Sequence, residues 1–225
     1  MDRNIIITGG AGNLGSAVIE KFKREGYKII ATVAPGSGDE IEEADDVYEV
    51  DVTDEKSASD FSKEYIMQYG EVEAIILLVG GYAGGSIVET TTEDINKMIN
   101  LNFFSSFNFV KNFLPMMKKA NKGTFLFVGA RPALQPEDGK DVVAYALSKG
   151  MVVNLADFVA EESKGTKIRS HVFVPSIIDT PPNRESMPNA DFAEWVHPSE
   201  IAEAMHYAVN NPDLRNMTFK LYGGV

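Results

Sequence analysis

A glycine-rich break in an apolar run near the N-terminus leaves this chain few ways to fold. Residues 5–8 read Ile-Ile-Ile-Thr, and beyond the break apolar residues resume at Leu14 with helical spacing. This pattern predicts a buried strand, a tight turn and the first turn of a helix. Gly9, Gly12 and Gly15 lie three residues apart, which suits the turn, close approach of a pyrophosphate, and packing of the helix on the strand. The N-terminus of the helix would face the anion. The alternative is a glycine-rich turn with no ligand.

Short apolar strands alternate with helical segments along the rest of the chain. The predicted strands are residues 27–33, 47–51, 73–79, 124–128, 168–174 and 218–222, and the predicted helices are 14–25, 55–69, 92–119, 142–163 and 199–210. Such alternation favours parallel pairing through right-handed crossovers. We therefore predict an α/β fold of the Rossmann type: a three-layer sandwich around a doubly wound, seven-stranded parallel sheet, formed by residues 1–225 as one domain. The acidic run over residues 39–46 is predicted to be a solvated loop or helix face.

The composition narrows the classes of function. A chain of 225 residues, 44% of them hydrophobic, is long enough to bury one sizeable core. The formal net charge of −12 argues against a nucleic-acid or anionic-membrane partner. The sequence has neither an apolar run of roughly 18 residues nor a signal-peptide pattern. Zero cysteines exclude disulfides, and the three histidines lack ligand spacing, so no metal is expected. We expect a soluble, cytoplasmic protein.

A tyrosine and a lysine form a second chemical signal. Tyr145 and Lys149 are spaced i and i+4 on a predicted helix, so they share one face of it. A cationic amine beside the phenol is predicted to lower the pKa of Tyr145. The helix follows the strand at residues 124–128, near the carboxyl edge where open α/β sheets bind ligands. Tyr145 is therefore a candidate proton donor.

These motifs, in this order and spacing, resemble the short-chain dehydrogenase/reductase family, and the resemblance covers nearly the whole chain. It implies an NAD(P)H-dependent oxidoreductase that acts on a small molecule, with Tyr145, Lys149 and Asn102 as catalytic residues. Asn102 would hold a proton-relay water. The positions that match the cofactor site are Gly9, Gly12, Asn13, Leu14, Gly15, Asp51, Val52, Gly80, Gly81, Lys149, Pro175, Ile178 and Thr180.

Each group of matching residues carries a role that the resemblance implies. Asp51 and Val52 would contact adenine, Lys149 would bond the nicotinamide ribose, and residues 175–180 would hold the carboxamide. Two departures accompany these matches. Asn13 stands where the commonest variant of the nucleotide loop has a glycine, and residues 78–79 read Leu-Val where the family has asparagines before Gly80.

The largest departure lies after the strand at residues 124–128. The family usually has a serine there that bonds a substrate carbonyl, but residues 129–133 read Gly-Ala-Arg-Pro-Ala, without a hydroxyl. The dihydropteridine reductase branch of the family also lacks this serine. Residues 79–85 are similar to its second glycine loop, and residues 179–192 closely resemble its lid, which we place at about residues 176–198. The resemblance implies a quinonoid dihydropterin-like substrate, which needs little activation beyond a hydride and a proton.

The residues expected to enclose such a ring are aromatic or apolar, as planar heterocycles require. They are Tyr82, Met187, Phe192 and Trp195. Arg131 and Arg184 would either orient polar ring atoms or form surface ion pairs. An ordinary carbonyl or alcohol dehydrogenase remains the alternative, as does a dinucleotide sensor without catalysis.

The preference for NADH over NADPH depends on the residue that follows the second predicted strand. NAD-binding proteins usually place an acid there, whereas this chain has Ala34. No basic side chain lies at residues 34–38, and the acids from Asp39 onward would repel a phosphate. We therefore favour NADH. Thr32 or Ser37 would bind the phosphate if NADPH were used.

A homodimer or homotetramer is expected. The resemblance implies pairing through the two long helices at residues 92–119 and 142–163. Phe103, Phe107, Val110 and Leu114 form an apolar stripe on the first of them. The alternative is that this stripe packs on the sheet.

Overall fold

The structure is a computed structural model that describes residues 3–37 and 41–224. Gly38, Asp39 and Glu40 lie outside the described residues, so the start of the predicted acidic loop does too. The described strands are β1 (Asn4–Thr8), β2 (Lys28–Val33), β3 (Asp46–Glu49), β4 (Ala74–Leu77), β5 (Gly123–Val128), β6 (Ile168–Pro175) and β7 (Met217–Leu221). All of their pairings are parallel, in the order β3-β2-β1-β4-β5-β6-β7. The predicted fold class is confirmed.

Helices cover both faces of this sheet. The described helices are α1 (Asn13–Arg24), α2 (Glu55–Tyr69), α3 (Thr92–Met98), α4 (Ser105–Ala120), α5 (Arg131–Leu134), α6 (Pro136–Gly139), α7 (Val143–Glu162), α8 (Pro181–Ser186) and α9 (Pro198–Asn210). One buried cluster includes Phe61 of α2 and Phe113 of α4, and another includes Phe22 of α1 and Met205 of α9. Burial of apolar side chains on both faces stabilises the three layers.

Three segments differ from the prediction. Residues 131–139, expected as a loop, contain α5 and α6, and the long loop before α9 contains α8 and a 3₁₀ turn, Phe192–Glu194. α5, α6 and α8 each have proline in the first turn, where its fixed φ favours a helix and its missing N–H is not needed. The predicted helix over residues 92–119 is divided by a π-helical turn, Ile99–Phe104.

α7 is long and apolar enough to cross a membrane by length and composition alone. In this fold it lies against the sheet and buries Ala144, Val152 and Ala156. Core helices of soluble proteins meet the same criterion.

Candidate active site

The glycine turn after β1 prepares the N-terminus of α1 for an anion. Gly9 has φ +68°, a left-handed conformation that glycine adopts without strain. A Cβ atom on Gly15 would lie 2.6 Å from the carbonyl oxygen of Gly10, so only glycine allows α1 to pack this closely on the turn. The first N–H groups of a helix have no partner within it, and no side chain caps α1 at Gly12. These amides, with Asn13 and Leu14 in the first turn, fit the pyrophosphate of a dinucleotide.

Asn102 anchors the second glycine loop. Its amide oxygen accepts a hydrogen bond from the N–H of Gly81 at 2.8 Å, and its amide nitrogen donates to the carbonyl of Gly81 at 3.1 Å. The same nitrogen donates to the hydroxyl of Ser148 at 2.9 Å, which donates to the carbonyl of Tyr145 at 2.8 Å. The buried Asn102 therefore ties the loop to α7. The implied water relay at Asn102 stays a prediction.

The π-helical turn places Asn102 at this position. π-helical turns are rare and occur mainly at functional sites. Here the turn spans Ile99–Phe104, between α3 and α4. The predicted helix is thus correct in extent, but 3.6-residue periodicity did not reveal the turn that carries the candidate residue.

Lys149 lies beneath the second glycine loop, fully enclosed by protein. Its amine donates to the carbonyl of Val128 at 2.9 Å, and a Cβ atom on Gly80 would lie 3.0 Å from the amine nitrogen. Burial lowers the pKa of Lys149 to about 8 because desolvation disfavours the charged amine. The amine therefore lies between the end of β5 and the loop at Gly80, and its bond to the nicotinamide ribose stays a prediction.

The predicted lowering of the Tyr145 pKa is wrong. Burial, together with a smaller effect of the neighbouring Tyr82, raises the pKa of Tyr145 to about 12. The ring of Tyr82 lies 5.3 Å from that of Tyr145, centroid to centroid. Spacing of i and i+4 brings the two side chains to one face, but Lys149 points to Val128, so desolvation of the phenol prevails. Tyr145 holds its proton at neutral pH and is suited to donate it.

The end of β5 presents no hydroxyl to this site. Ala130 is buried and precedes α5, with no side chain capping that helix. Arg131 forms an ion pair with Asp138 at 3.0 Å, and its guanidinium lies 5.6 Å from the ring centroid of Tyr222. Of the two roles predicted for Arg131, the structure shows the ion pair.

A narrow cleft of about 130 Å³ opens beside the first glycine turn, between the ends of β2 and β3. Asp51 and Val52 are among its lining residues. The Asp51 carboxylate accepts hydrogen bonds from the N–H and the hydroxyl of Thr53, at 3.0 and 2.7 Å. Asp51, Val52 and Gly9 thus line one cleft, and the contact of Asp51 and Val52 with adenine stays a prediction.

Sequence reasoning missed Glu49, which precedes Val50, one of the residues that line this cleft. Its carboxylate accepts a hydrogen bond from the N–H of Gly36 at 3.0 Å, in the loop that follows β2. Glu49 lies on β3 and pairs with Val33, the last residue of β2. Parallel pairing of consecutive strands was the signal that could have found it, because it brings the carboxyl ends of β2 and β3 together.

The segment after β6 leads into the predicted lid. β6 ends at Pro175, and Ile178 pairs with Val196 across the base of the lid. The hydroxyl of Thr180 accepts a hydrogen bond from the N–H of Asn183 and caps α8. Arg184 forms an ion pair with Asp179 at 2.5 Å. For this arginine too, the structure shows the predicted ion pair.

Comparisons with known proteins agree with this geometry. Residues 3–191 match the family model described as short chain dehydrogenase. The chain is 26% identical over 218 residues to a dihydropteridine reductase of Dictyostelium discoideum, covering 96% of this chain and 91% of that protein. It is 25% identical to a human 3-oxoacyl-[acyl-carrier-protein] reductase, covering 100% and 98%.

Two solved structures share the fold. The structure of ElxO with NADP bound superposes with a TM-score of 0.90 at 22% identity, covering 100% of this chain and 98% of that one. The ligand-free aldohexose dehydrogenase of Thermoplasma acidophilum gives a TM-score of 0.86 at 21% identity, covering 99% and 93%.

Proposed function

This chain belongs to the short chain dehydrogenase family and is an NAD(P)-dependent oxidoreductase, and on that premise we propose that it reduces a planar heterocycle of the quinonoid dihydropterin kind. The observation that carries the proposal is that the segment after β5 passes through Ala130 into α5 and presents no hydroxyl, while Tyr145 on α7 is available as the proton donor. A ketone reductase would lose a hydrogen-bond donor to the developing oxyanion. A quinonoid ring is already electron-poor and tolerates that loss. The dihydropteridine reductase among the relatives supports the same choice.

In such a reduction, different residues of this chain would bind the cofactor and supply the proton. When bound, the nicotinamide supplies a hydride. The amides of the first glycine turn would bind the pyrophosphate, Asp51 and Val52 would bound the adenine, and Lys149 would bond the ribose. Tyr145 would donate the proton that accompanies the hydride, so the substrate gains one hydride and one proton. Asn102 positions the loop and the helix that meet at this point through its bonds to Gly81 and Ser148.

Aromatic side chains in the second glycine loop and in the lid suit a flat ring. Tyr82 lies 5.3 Å from Tyr145. In the lid, Phe192 lies 4.8 Å from Trp195, and the Arg184 guanidinium lies 4.8 Å from the ring centroid of Phe192. Aromatic faces of this kind pack on conjugated rings.

The test measures the rate of NADH oxidation with freshly generated quinonoid dihydropterin and compares it with the rates for a panel of ketones and 3-oxoacyl thioesters. Ala130→Ser, which restores a hydroxyl at the end of β5, is the informative variant. We expect pterin turnover to change by less than about twofold, whereas a ketone reductase would gain at least about tenfold from a new oxyanion donor. Activity on ketones alone would contradict the proposal. Binding of NADH without turnover of either class would favour the dinucleotide sensor.

We further propose that NADH is preferred over NADPH. Glu49 places a carboxylate at the loop after β2, and it would repel a 2′-phosphate in this cleft. Glu49→Gln should raise kcat/KM for NADPH by about tenfold, equivalent to roughly 1.4 kcal/mol, with little effect on NADH. Glu64→Gln, on the exposed side of α2, removes the same charge elsewhere and is the control. A wild-type protein with the higher kcat/KM for NADPH would reverse the proposal and direct attention to Thr32.

We also propose that two copies pair through α4 and α7. An apolar groove of about 760 Å³ runs between these helices, with Phe107 and Phe158 among its lining residues. Phe158 is 71% exposed. All four residues of the predicted stripe line the groove. Val110 and Leu114 also belong to the buried cluster of Phe109 and Phe113, so the stripe serves the core and the groove together. Lys118 and Glu162 form an ion pair at its edge.

A further inference from the structure

The lid is a loop closed at its base by the backbone. The N–H of Val196 donates to the carbonyl of Ile177 at 2.9 Å, and the N–H of Asp179 donates to the carbonyl of Val196 at 2.8 Å. Residues 179–195, which we call the lid segment, thus begin and end at the same place, where residues 177–179 lie against Val196. We call this place the neck. The position of the lid segment relative to the sheet therefore depends on the backbone at this neck.

Side-chain contacts tie the lid segment together internally. Arg184 donates two hydrogen bonds to Asp179, at 2.5 and 2.7 Å. Its guanidinium lies 4.8 Å from the ring centroid of Phe192, and that ring lies 4.8 Å from Trp195. Trp195 is buried beside the neck. These contacts link one end of the lid segment to the other, so its orientation depends on what the neck packs against.

The residues that follow β7 pack against this neck. Ser176 holds them in place, since its N–H donates to the carbonyl of Leu221 and its hydroxyl to the carbonyl of Tyr222, both at 2.9 Å. The N–H of Gly224 then donates to the carbonyl of Glu194 at 3.1 Å. Gly223 has φ +64°, and a Cβ atom there would overlap the same carbonyl oxygen and lie 3.1 Å from its carbon.

We propose that Gly223 is a positioning residue for the substrate lid, because it brings the chain after β7 into backbone contact with Glu194 at the neck. Only a residue without Cβ fits there, and only glycine adopts this φ without strain. The role assigned to the lid segment rests on the proposed function. The contact with Gly223 does not, and it is measurable without any substrate.

Two adjacent glycines offer a matched test. Gly223→Ala introduces both the overlap and the strain, whereas a Cβ atom on Gly224 would meet Glu194 Cγ at 3.5 Å, an ordinary contact. Trp195 is the only tryptophan in the sequence, so intrinsic fluorescence reports directly on the neck. We expect Gly223→Ala to shift the Trp195 emission and to speed amide hydrogen exchange in residues 181–195 at least about tenfold. Gly224→Ala should resemble the wild type in both measurements.

Steady-state kinetics separates positioning from general destabilisation. Gly223→Ala should raise KM for the substrate several-fold and change kcat and the Kd for NADH less, because the adenosine cleft lies beside β2 and β3, across the sheet from β6 and β7. A chain that ends at Tyr222 removes the contact without adding a clash and should loosen the lid segment in the same way.

Unchanged exchange in residues 181–195 for both Gly223→Ala and the shortened chain would overturn the proposal, as would equal effects of Gly223→Ala and Gly224→Ala. Faster exchange in residues 181–195, in a protein that binds NADH but reduces no pterin, would support the contact and contradict only the assigned substrate.

Discussion

At the scale of single residues, burial shifts the pKa values of the candidate catalytic pair in opposite directions, and the shift of Tyr145 is opposite to the one that its spacing from Lys149 predicts. Burial lowers the pKa of Lys149 to about 8 and raises that of Tyr145 to about 12. Desolvation disfavours the charged form of each group. Tyr145 is therefore a proton donor in the direction of reduction, and the buried Lys149 amine bonds to a backbone carbonyl of β5.

Replacing the phenol tests this assignment. Tyr145→Phe keeps the ring against Tyr82 and removes the donor, so kcat should fall by about a hundred- to ten-thousand-fold with little change in the Kd for NADH. Lys149→Ala should impair both turnover and NADH binding. Stopped-flow reduction and fluorescence titration give the two quantities. Near-full activity of Tyr145→Phe would show that the proton comes from solvent.

The burial of His171 predicts that the free energy of unfolding depends on pH. His171 is fully buried on β6; its Nδ1 accepts a hydrogen bond from the N–H of Met217, and its Nε2 has no partner among the described residues. Burial, together with Arg169 and Arg215, lowers the pKa of His171 from 6.5 to about 4. The unfolded chain then binds a proton in this range that the folded chain does not, so stability falls as the pH drops from 6.5 to 4.

The expected slope is about 1.4 kcal/mol of unfolding free energy per pH unit from this residue. Urea unfolding of the wild type and of His171→Asn, between pH 7 and pH 4.5, isolates it as the difference between the two proteins. Asparagine keeps an acceptor for the Met217 N–H and does not titrate. Parallel pH profiles for the two proteins would contradict the assignment to His171.

At the scale of elements, α1 packs closely on the glycine turn because Gly15 has no Cβ atom. Gly15→Ala should weaken NADH binding at least about a hundredfold, roughly 2.7 kcal/mol, because the new methyl group would push α1 away from the turn. Gly150→Ala on α7 meets open space, removes the backbone entropy of a helical glycine and should bind NADH normally with a slightly higher Tm. Titration of NADH fluorescence, with thermal unfolding alongside, checks both variants. Equal affinities for NADH would remove the turn from the binding site.

The second glycine loop depends on contacts between elements rather than on its own sequence. Asn102 in the π-helical turn bonds to Gly81 and to Ser148. The chain lacks the asparagines that usually precede Gly80 in the family, and Asn102 nevertheless holds the loop against α7.

At the scale of the whole molecule, the groove between α4 and α7 is expected to be buried between two copies. Light scattering at micromolar concentration should give at least twice the 24.7 kDa of one chain. Phe158→Glu should yield a monomer, because a carboxylate in the groove would have to be desolvated. Tyr207→Glu, at an exposed aromatic residue of α9, is the control and should still pair through α4 and α7. A wild-type mass of one chain would contradict the proposal.

The sequence by itself determined the sheet, its parallel strands and the glycine turn. These features arise from local patterns: apolar runs of strand length, helical periodicity between them, and glycines at positions where a Cβ atom would collide. The sequence also predicted Tyr145 and Lys149 as a catalytic pair from their spacing along one helix, and Asn102 from the family resemblance, because both signals are patterns along the chain.

Only the tertiary structure decided how these residues interact. The raised pKa of Tyr145, the hydrogen bond from Lys149 to Val128, and the carboxylate of Glu49 beside Gly36 each join residues from different elements. The contact of Gly223 with Glu194 joins the end of the chain to the lid segment. Desolvation and hydrogen bonding depend on which groups meet after packing, and a sequence pattern records spacing along the chain but not that packing.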